Sequence, residues 1–346
     1  MRNSGVVRAA FAAVFVVVSV EAAHAQIYES FGIRAQGMGG AFVAVADDAT
    51  ATWWNPAGLA GGAYGNSVLE YGTLQDPRVA TDATGAAVPA WRSDTRGISV
   101  AYPAFGLSYY RLKLSQIQPV TAIGTDPLSR QDPGQAPVRQ TAFVLQQFGA
   151  TFGQSIGSHL VLATTLKLLY GGSSAAPTVA GSASLDQAAA LPTGSETHAD
   201  LDVGAMARFG AISVGATVKN LREPSFGSGD SLVDVRRQAR VGLAASSHKR
   251  AGTMSAFAVD VDADLTRTSM ATGDVRHVAA GLEGWMYNGS LGLRAGVSAN
   301  TIGAARPAAG GGLSLALRKG TYIDSQATFG SDQSRKGWGL DFRVTF

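Results

Sequence analysis

Alternation, sustained over most of the chain, is the property that most restricts its fold. About fourteen runs switch between apolar and polar residues with a period of two, the spacing that sends successive side chains to opposite faces of a strand. The connections between runs are alternately very short and long. Phe105, Phe209, His248-Lys249-Arg250, Asn288-Gly289 and Arg318-Lys319-Gly320 mark the short turns. Thr73–Asp94, Ser115–Val138, Gly171–Glu196 and Arg222–Val235 are long and rich in Gly, Pro, Ser, Ala and Asp. An up-and-down sheet with one neat and one elaborate end has this rhythm, which is that of a bacterial outer-membrane barrel.

Within single runs the same pattern holds. In Leu201–Phe209 and Leu291–Val297 the odd positions are apolar and would face lipid, with Arg294 turned inward. Leu313, Leu315 and Leu317 repeat the pattern against Ser314 and Arg318. The last run, Trp338–Phe346, puts five large apolar residues on one face and Gly339, Asp341, Arg343 and Thr345 on the other. Phe346 is therefore expected to serve as a signal to the barrel-assembly machinery. Lipid offers no water to open backbone groups, so such strands must close on themselves. The expected fold class is all-β, an antiparallel transmembrane β-barrel of about 14 strands. A soluble sandwich or propeller also has short strands and turn residues, but leaves the short-long alternation and the terminal stripe without a reason.

The first residues read as an export signal. Arg2 and Arg8 supply the positive end, 9–20 the apolar core, and Ala23-His24-Ala25 a cleavage site before Gln26. That core falls short of the roughly 20 residues a spanning helix needs. Removing residues 1–25 with their two arginines and one glutamate takes the formal charge from +3 to +2, which argues against a nucleic-acid partner. There is no Cys, so a lipoprotein anchor, a disulfide and a thiolate metal site are excluded. The domain organisation expected is a signal peptide over 1–25, an N-terminal hatch or plug over 26–65 and a transmembrane barrel over 66–346, located in the bacterial cell outer membrane.

Chemistry-bearing strings are few. Gly229-Asp230-Ser231-Leu232 spells a hydrolase nucleophile motif, but lies late, in an expected outer loop, with no acid–His pair after it, so it reads as loop and no enzyme is expected. Asp260-Val-Asp262-Ala-Asp264 begins like a calcium loop, but Leu265 stands where Gly is needed and Ala271 where a bidentate Glu is needed. On a strand these acids share one face, and meeting Arg294, Arg318 and Arg343 they would form a polar network in the lumen. The five His lack metal spacing, and no metal or cofactor is expected.

The segment GIRAQGMGGAFVAVADDATATWWNPAGLAGG, residues 32–62, precedes the first strand. Its acidic pair Asp47-Asp48 followed by Asn55-Pro56-Ala57-Gly58 resembles the amino-terminal signature of the FadL/TodX family of outer-membrane proteins and its PorV-like relatives. Val218-Lys-Asn220-Leu221 is similar to a strand-end phrase of the PorV-like branch. The resemblance implies a fourteen-stranded barrel whose lumen holds an N-terminal hatch containing Asn55, Pro56 and Ala57. It also implies passive carriage of hydrophobic small molecules such as fatty acids or hydrocarbons, or, in the PorV-like alternative, docking of secreted or surface-attached protein. Independently, Pro56 lacks a ladder donor and confines Asn55 to extended or turn geometry. Trp53, Trp54 and Phe42 could line a ligand path, or simply pack the hatch against the wall. The outer loops offer few apolar linings: Ile123, Pro127, Leu128 and Pro133 in one, Pro177, Val179, Leu185 and Leu191 in another. Outer-membrane lipid is the remaining expected partner.

Overall fold

The computed structural model describes residues 30–346 except 77–88, 121–135, 248–253, 271–272 and 331–335. The expected signal peptide, the loop carrying Ile123 to Pro133 and the turn His248–Arg250 lie outside the described residues. From Asn66 onward the described residues are mostly strand. The first seven are β1 (Asn66–Asp76), β2 (Ala90–Tyr102), β3 (Phe105–Pro119), β4 (Pro137–Ile156), β5 (Leu160–Val179), β6 (Glu196–Phe209) and β7 (Ile212–Lys219). The short β8 (Ser225–Phe226) and β9 (Val233–Asp234) pair with each other. Next come β10 (Gln238–Ser247) and β11 (Met254–Asp264), then a second small pair, β12 (Thr268–Met270) and β13 (Gly273–Val275). The series ends with β14 (His277–Met286), β15 (Leu291–Asn300), β16 (Ala308–Arg318), β17 (Thr321–Gly330) and β18 (Lys336–Thr345).

Fourteen of these strands form a closed antiparallel barrel, each paired with its neighbour in sequence and β1 closing on β18. Each run read from the sequence is one of the barrel strands. Closure leaves no open edge, and backbone groups are satisfied strand to strand. The seam continues past the last strand, where Gly65 and Phe346 exchange two backbone hydrogen bonds of 2.8 and 2.9 Å.

Outside, the barrel is apolar: Leu69, Leu166, Leu243, Leu293, Val297, Leu315, Trp338 and Phe342 all stand exposed. Inside lie Thr165, Lys167, Asp202, Asp260, Asp262, Arg294, Ser314 and Asp324, each buried. This inversion of the usual soluble arrangement is that of a transmembrane barrel. Among the described residues no helix is long and apolar enough to cross a membrane.

The wall is uneven in height. β4 and β5 are 20 residues each, against 8 for β7 and 10 for β15, and roughly 9–11 suffice to cross a bilayer. The excess comes from residues expected to be loop: 171–179 pair in unbroken register with 137–145. A 3₁₀ turn and helix α3 (Leu185–Ala190) fold back onto the outside of this extension. There Ala180, Ala183 and Leu185 pack on Ala90, Ile117 and Val138, and Gln140 donates to the Ser184 carbonyl at 3.2 Å. Pro177, Val179 and Leu185 thus build and cover the tall wall instead of lining an outer loop.

Residues 30–65 fill the lumen with α1 (Ile33–Gly37), α2 (Ala51–Trp54) and a 3₁₀ turn (Pro56–Gly61); the first two are numbered with α3 in chain order. The hatch approaches the wall backbone to backbone. Gly39 has φ +69°, and a Cβ there would sit 2.6 Å from the Val297 nitrogen, so the position admits only glycine.

Candidate transport path and hatch

Arg34 ties the hatch to the wall. Its Nε and Nη2 donate to the two oxygens of Glu283 on β14 at 3.1 and 2.8 Å, and its Nη1 donates to Asp47 at 2.8 Å and Asp48 at 2.7 Å. Burial alone would lower the pKa of this guanidinium. Glu283, Asp47 and Asp48 outweigh that and hold it well above the ordinary arginine value. Asp48 also accepts from the Thr50 amide at 2.9 Å, fixing the turn into α2, and Ala49 donates to Asn66 on β1 at 2.7 Å. From Glu283 the network runs along the wall: Arg294 on β15 reaches Glu283 at 2.5 Å and Asp324 on β17 at 3.3 Å, and Arg343 on β18 reaches Asp324 at 2.8 Å. Buried charges are tolerated only with such mutual pairing.

The calcium-like acids do something else. Asp262 accepts the amides of Phe42 and Val43 at 2.7 and 2.9 Å, and Asp260 accepts that of Ala44 at 3.1 Å. They hold hatch backbone, so the expected meeting of these acids with Arg294, Arg318 and Arg343 is not what the lumen contains. Arg294 and Arg343 find Glu283 and Asp324 instead. Arg318 stands exposed at a short turn, bonded to Thr321 at 3.1 Å, apart from the network. Where β16 meets its turn the alternation no longer directs side chains inward.

Asn55 uses its whole side chain. Its Oδ1 accepts from the Ala57 amide at 3.1 Å, and its Nδ2 donates to the Val43 carbonyl at 3.0 Å and to the Ala205 carbonyl on β6 at 3.2 Å. The wall makes room for it at Gly204, where a Cβ would lie 2.2 Å from the Asn55 Oδ1 and 2.8 Å from the Pro56 ring. Pro56 starts the 3₁₀ turn, and Gly58 lies against the Ala46 carbonyl.

Trp53, Trp54 and Phe42 are buried, at 2%, 0% and 0% exposure; in this state they seal the lumen and do not line an open path. Trp53 packs tilted against Phe31 and edge-on against Tyr110, with ring centroids 4.4 and 5.3 Å away, and the Lys219 ammonium sits 3.2 Å from its ring centre. Lys219 belongs to the Val-Lys-Asn-Leu phrase. The neighbouring Asn220, with φ +57°, donates its amide to Asp202 at 2.8 Å and accepts from Lys167 at 2.6 Å. Lys167 also pairs with Asp200 at 2.8 Å and Asp202 at 2.6 Å. The phrase thus marks a sharp strand end pinned by a buried ionic cluster.

The lumen is chemically divided. From the hatch toward the long-connection end, the inner faces of β1–β5 carry an apolar column among polar residues such as Ser93, Thr95 and Gln116: Leu74, Trp91, Leu112, Leu114, Phe143 and Leu145 join Trp53 and Phe31 in one buried cluster. Phe226 of β8 and Val233 of β9, with Val235, complete it from the loop above, Phe143 and Phe226 lying 5.6 Å apart. Beside its upper end a pocket of about 210 Å³ is lined by Leu114, Phe143, Leu232 and Val233 together with Gln116, Gln118 and Thr141, and rimmed by the Arg139–Asp230 ion pair at 2.8 Å. Below the hatch lies a larger cavity of about 690 Å³, lined by charged and polar groups including Asp47, Asn66, Arg208, Glu283 and Arg343. The Gly229–Leu232 string forms a 3₁₀ turn between β8 and β9.

The sequence reading missed Arg34, Glu283 and Asp324, the centre of the ionic network. Their one signal is positional: Glu283 and Asp324 take inward places in strands whose outward places are Leu282 and Ile323.

A likeness to solved barrels accompanies this geometry. The chain superposes with a TM-score of 0.59 on a TodX deltaS2S3 mutant monoaromatic hydrocarbon channel, at 15% identity, covering 92% of this chain and 99% of that one. The Ralstonia pickettii toluene transporter TbuX gives 0.56 at 14% identity, with 92% and 99% covered. A Pseudomonas aeruginosa FadL homologue gives 0.53 at 11% identity, with 91% and 98% covered. At these identities the likeness establishes the fold alone, a barrel of the FadL/TodX type. No curated protein matches the sequence. A family model described as "F plasmid transfer operon, TraF, protein" matches residues 23–264, more than half of the chain. The chain belongs to that TraF family and carries it on a FadL/TodX-type fourteen-stranded barrel.

Proposed function

We propose that this protein is a passive outer-membrane channel for small hydrophobic molecules. The observation that carries the reading is the apolar column, which runs along the inner wall of β1–β5 from Phe226 and Val233 near the mouth down to Trp53 on the hatch. Binding sites for apolar solutes are concave and lined mainly by hydrophobic and aromatic side chains. The sequence reading looked for such a lining in the outer loops; the barrel wall supplies it instead. The structural neighbours, toluene transporters and monoaromatic hydrocarbon channels, lend support at the level of solute class.

In this reading the long connections face outside and the short turns the periplasm. A solute enters beside the Arg139–Asp230 pair, displaces the side chains that fill the column, and passes the hatch as Trp53 moves. In this reading flux follows the concentration gradient. The test is uptake into proteoliposomes of the protein, with a fatty acid, an alkane and a monoaromatic offered separately. Flux of at least one class above empty liposomes, lowered several-fold by Phe143→Asp, is expected; no flux of any class overturns the reading.

A second reading, a docking partner for secreted or surface-attached protein, draws on the firm fastening of the hatch and on the transfer-operon wording of the family description. It predicts a partner recovered by crosslinking in the native membrane, together with no solute flux.

A further inference from the structure

The apolar girdle of the barrel is not of one height. On β18 four successive outward positions, Val344, Phe342, Leu340 and Trp338, are apolar, and β15 continues the band with Leu291, Leu293, Ala295 and Val297. In the sector of β2 and β3 the band stops early. Outward from the short turn, β2 presents Tyr102, Val100 and Ile98 and then Arg96; β3 presents Phe105, Leu107 and Tyr109 and then Arg111 and Lys113. Arg96 and Arg111 are direct cross-strand partners, and like charges in that relation repel.

Cations on the lipid face are costly unless they reach an anionic surface. The charged groups on the same face are Asp94, opposite Lys113, and Arg92. Asp94 already accepts from Thr73 at 2.8 Å and lies 3.5 Å from Arg92, which in turn pairs with Asp186 of α3 at 2.9 Å. Arg96 is exposed, with its guanidinium 5.7 Å from the Tyr71 ring centre. Directly below the basic residues the outer surface is hollowed. A groove of about 620 Å³ runs over β2–β5, lined by Ile98, Val100, Leu107, Phe148, Leu166 and Leu168, with Ala150 among its walls. Tyr109, bonded to Gln146 at 2.8 Å, stands between groove and cations.

We propose that this sector is a binding site for one phosphorylated, acylated lipid of the outer leaflet. An acyl chain lies in the groove, and a phosphate is held by Arg96, Arg111 and Lys113. Charge complementarity selects an anion, and continuity of the groove with the bilayer-facing belt selects a lipid over an acidic soluble protein. The lipid would fill the step where the girdle is low and offset the repulsion of the facing arginines. The proposal does not depend on what passes through the lumen.

The test uses the whole mature protein in phosphatidylcholine nanodiscs, titrated with bis-phosphorylated lipid A and, separately, with its phosphate-free form. The phosphorylated form is expected to bind at one per barrel. The triple variant Arg96→Gln/Arg111→Gln/Lys113→Gln should weaken it on the order of a hundredfold. Ala150→Trp, which fills the groove and leaves the charges, should also weaken binding. Equal binding of the two lipid forms, or undiminished binding by a triple variant whose gel mobility is still heat-modifiable, overturns the proposal. If the triple variant does not fold, Arg96→Gln alone, at an exposed position, must still cost several-fold, and no loss there is equally fatal. Solute flux is measured in parallel: its absence speaks against the channel reading and leaves the lipid site unaffected.

Discussion

At the scale of single residues, one guanidinium joins the hatch to the barrel. Arg34 compensates Glu283, Asp47 and Asp48 together, so replacing it leaves the buried Asp48 without its cation and Glu283 with Arg294 alone. Arg34→Met is expected to destabilise hatch docking by about 3–5 kcal/mol, seen as proteolytic cleavage within residues 30–65 while the barrel stays heat-modifiable on gels. Asn55→Ala removes three hydrogen bonds, two of them to other hatch or wall carbonyls, and should cost about 1–3 kcal/mol by leaving buried groups unmade; loss of amide protection around Val43 and Ala57 in hydrogen exchange would register it. Asn55 and Asp48 were legible in the sequence because local turn chemistry demands them. Arg34 was not, because its partner Glu283 is 249 residues away, and nothing in the local pattern of either joins the two.

At the scale of elements, alternation was enough to find each barrel strand, since lipid outside and polar groups inside impose a strict period of two. It failed where lipid no longer acts. The upper parts of β4 and β5 stand beyond the apolar belt, and Ser173-Ser174-Ala175-Ala176-Pro177 carries no alternation, so these residues looked like loop. Pairing with 137–145 and the cover provided by α3 make them strand. The hatch contact imposes a different rule on the wall, illustrated at Gly204. Gly204→Val should drive a side chain into Asn55 and Pro56 and unseat the 3₁₀ turn, without harming the lipid-facing side of β6. Increased leak of small polar solutes through the reconstituted protein, with barrel content unchanged by circular dichroism, is the expected outcome. On the lipid face the consequence is reversed: Phe342→Arg should weaken stable insertion, a cost of about 2–4 kcal/mol for a cation in the belt, measured as loss of folded protein in membranes.

At the scale of the whole molecule, the apolar column lies along β1–β5 and the Glu283–Arg294–Asp324–Arg343 network along β14–β18, with the hatch spanning both. This division was not visible beforehand because it depends on which strands face one another across the barrel, which alternation does not specify. It also bears on the order of assembly. The hatch is made first and meets part of its grip early, at Asn66 of β1 and Ala205 of β6, but its ionic partners Asp260, Asp262 and Glu283 come from later strands. A nascent chain therefore carries its stopper only partly fastened until β14 has been exported. Since Gly65, where the stopper ends, is bonded to Phe346, the zipper that shuts the cylinder also ties down the tail of its contents.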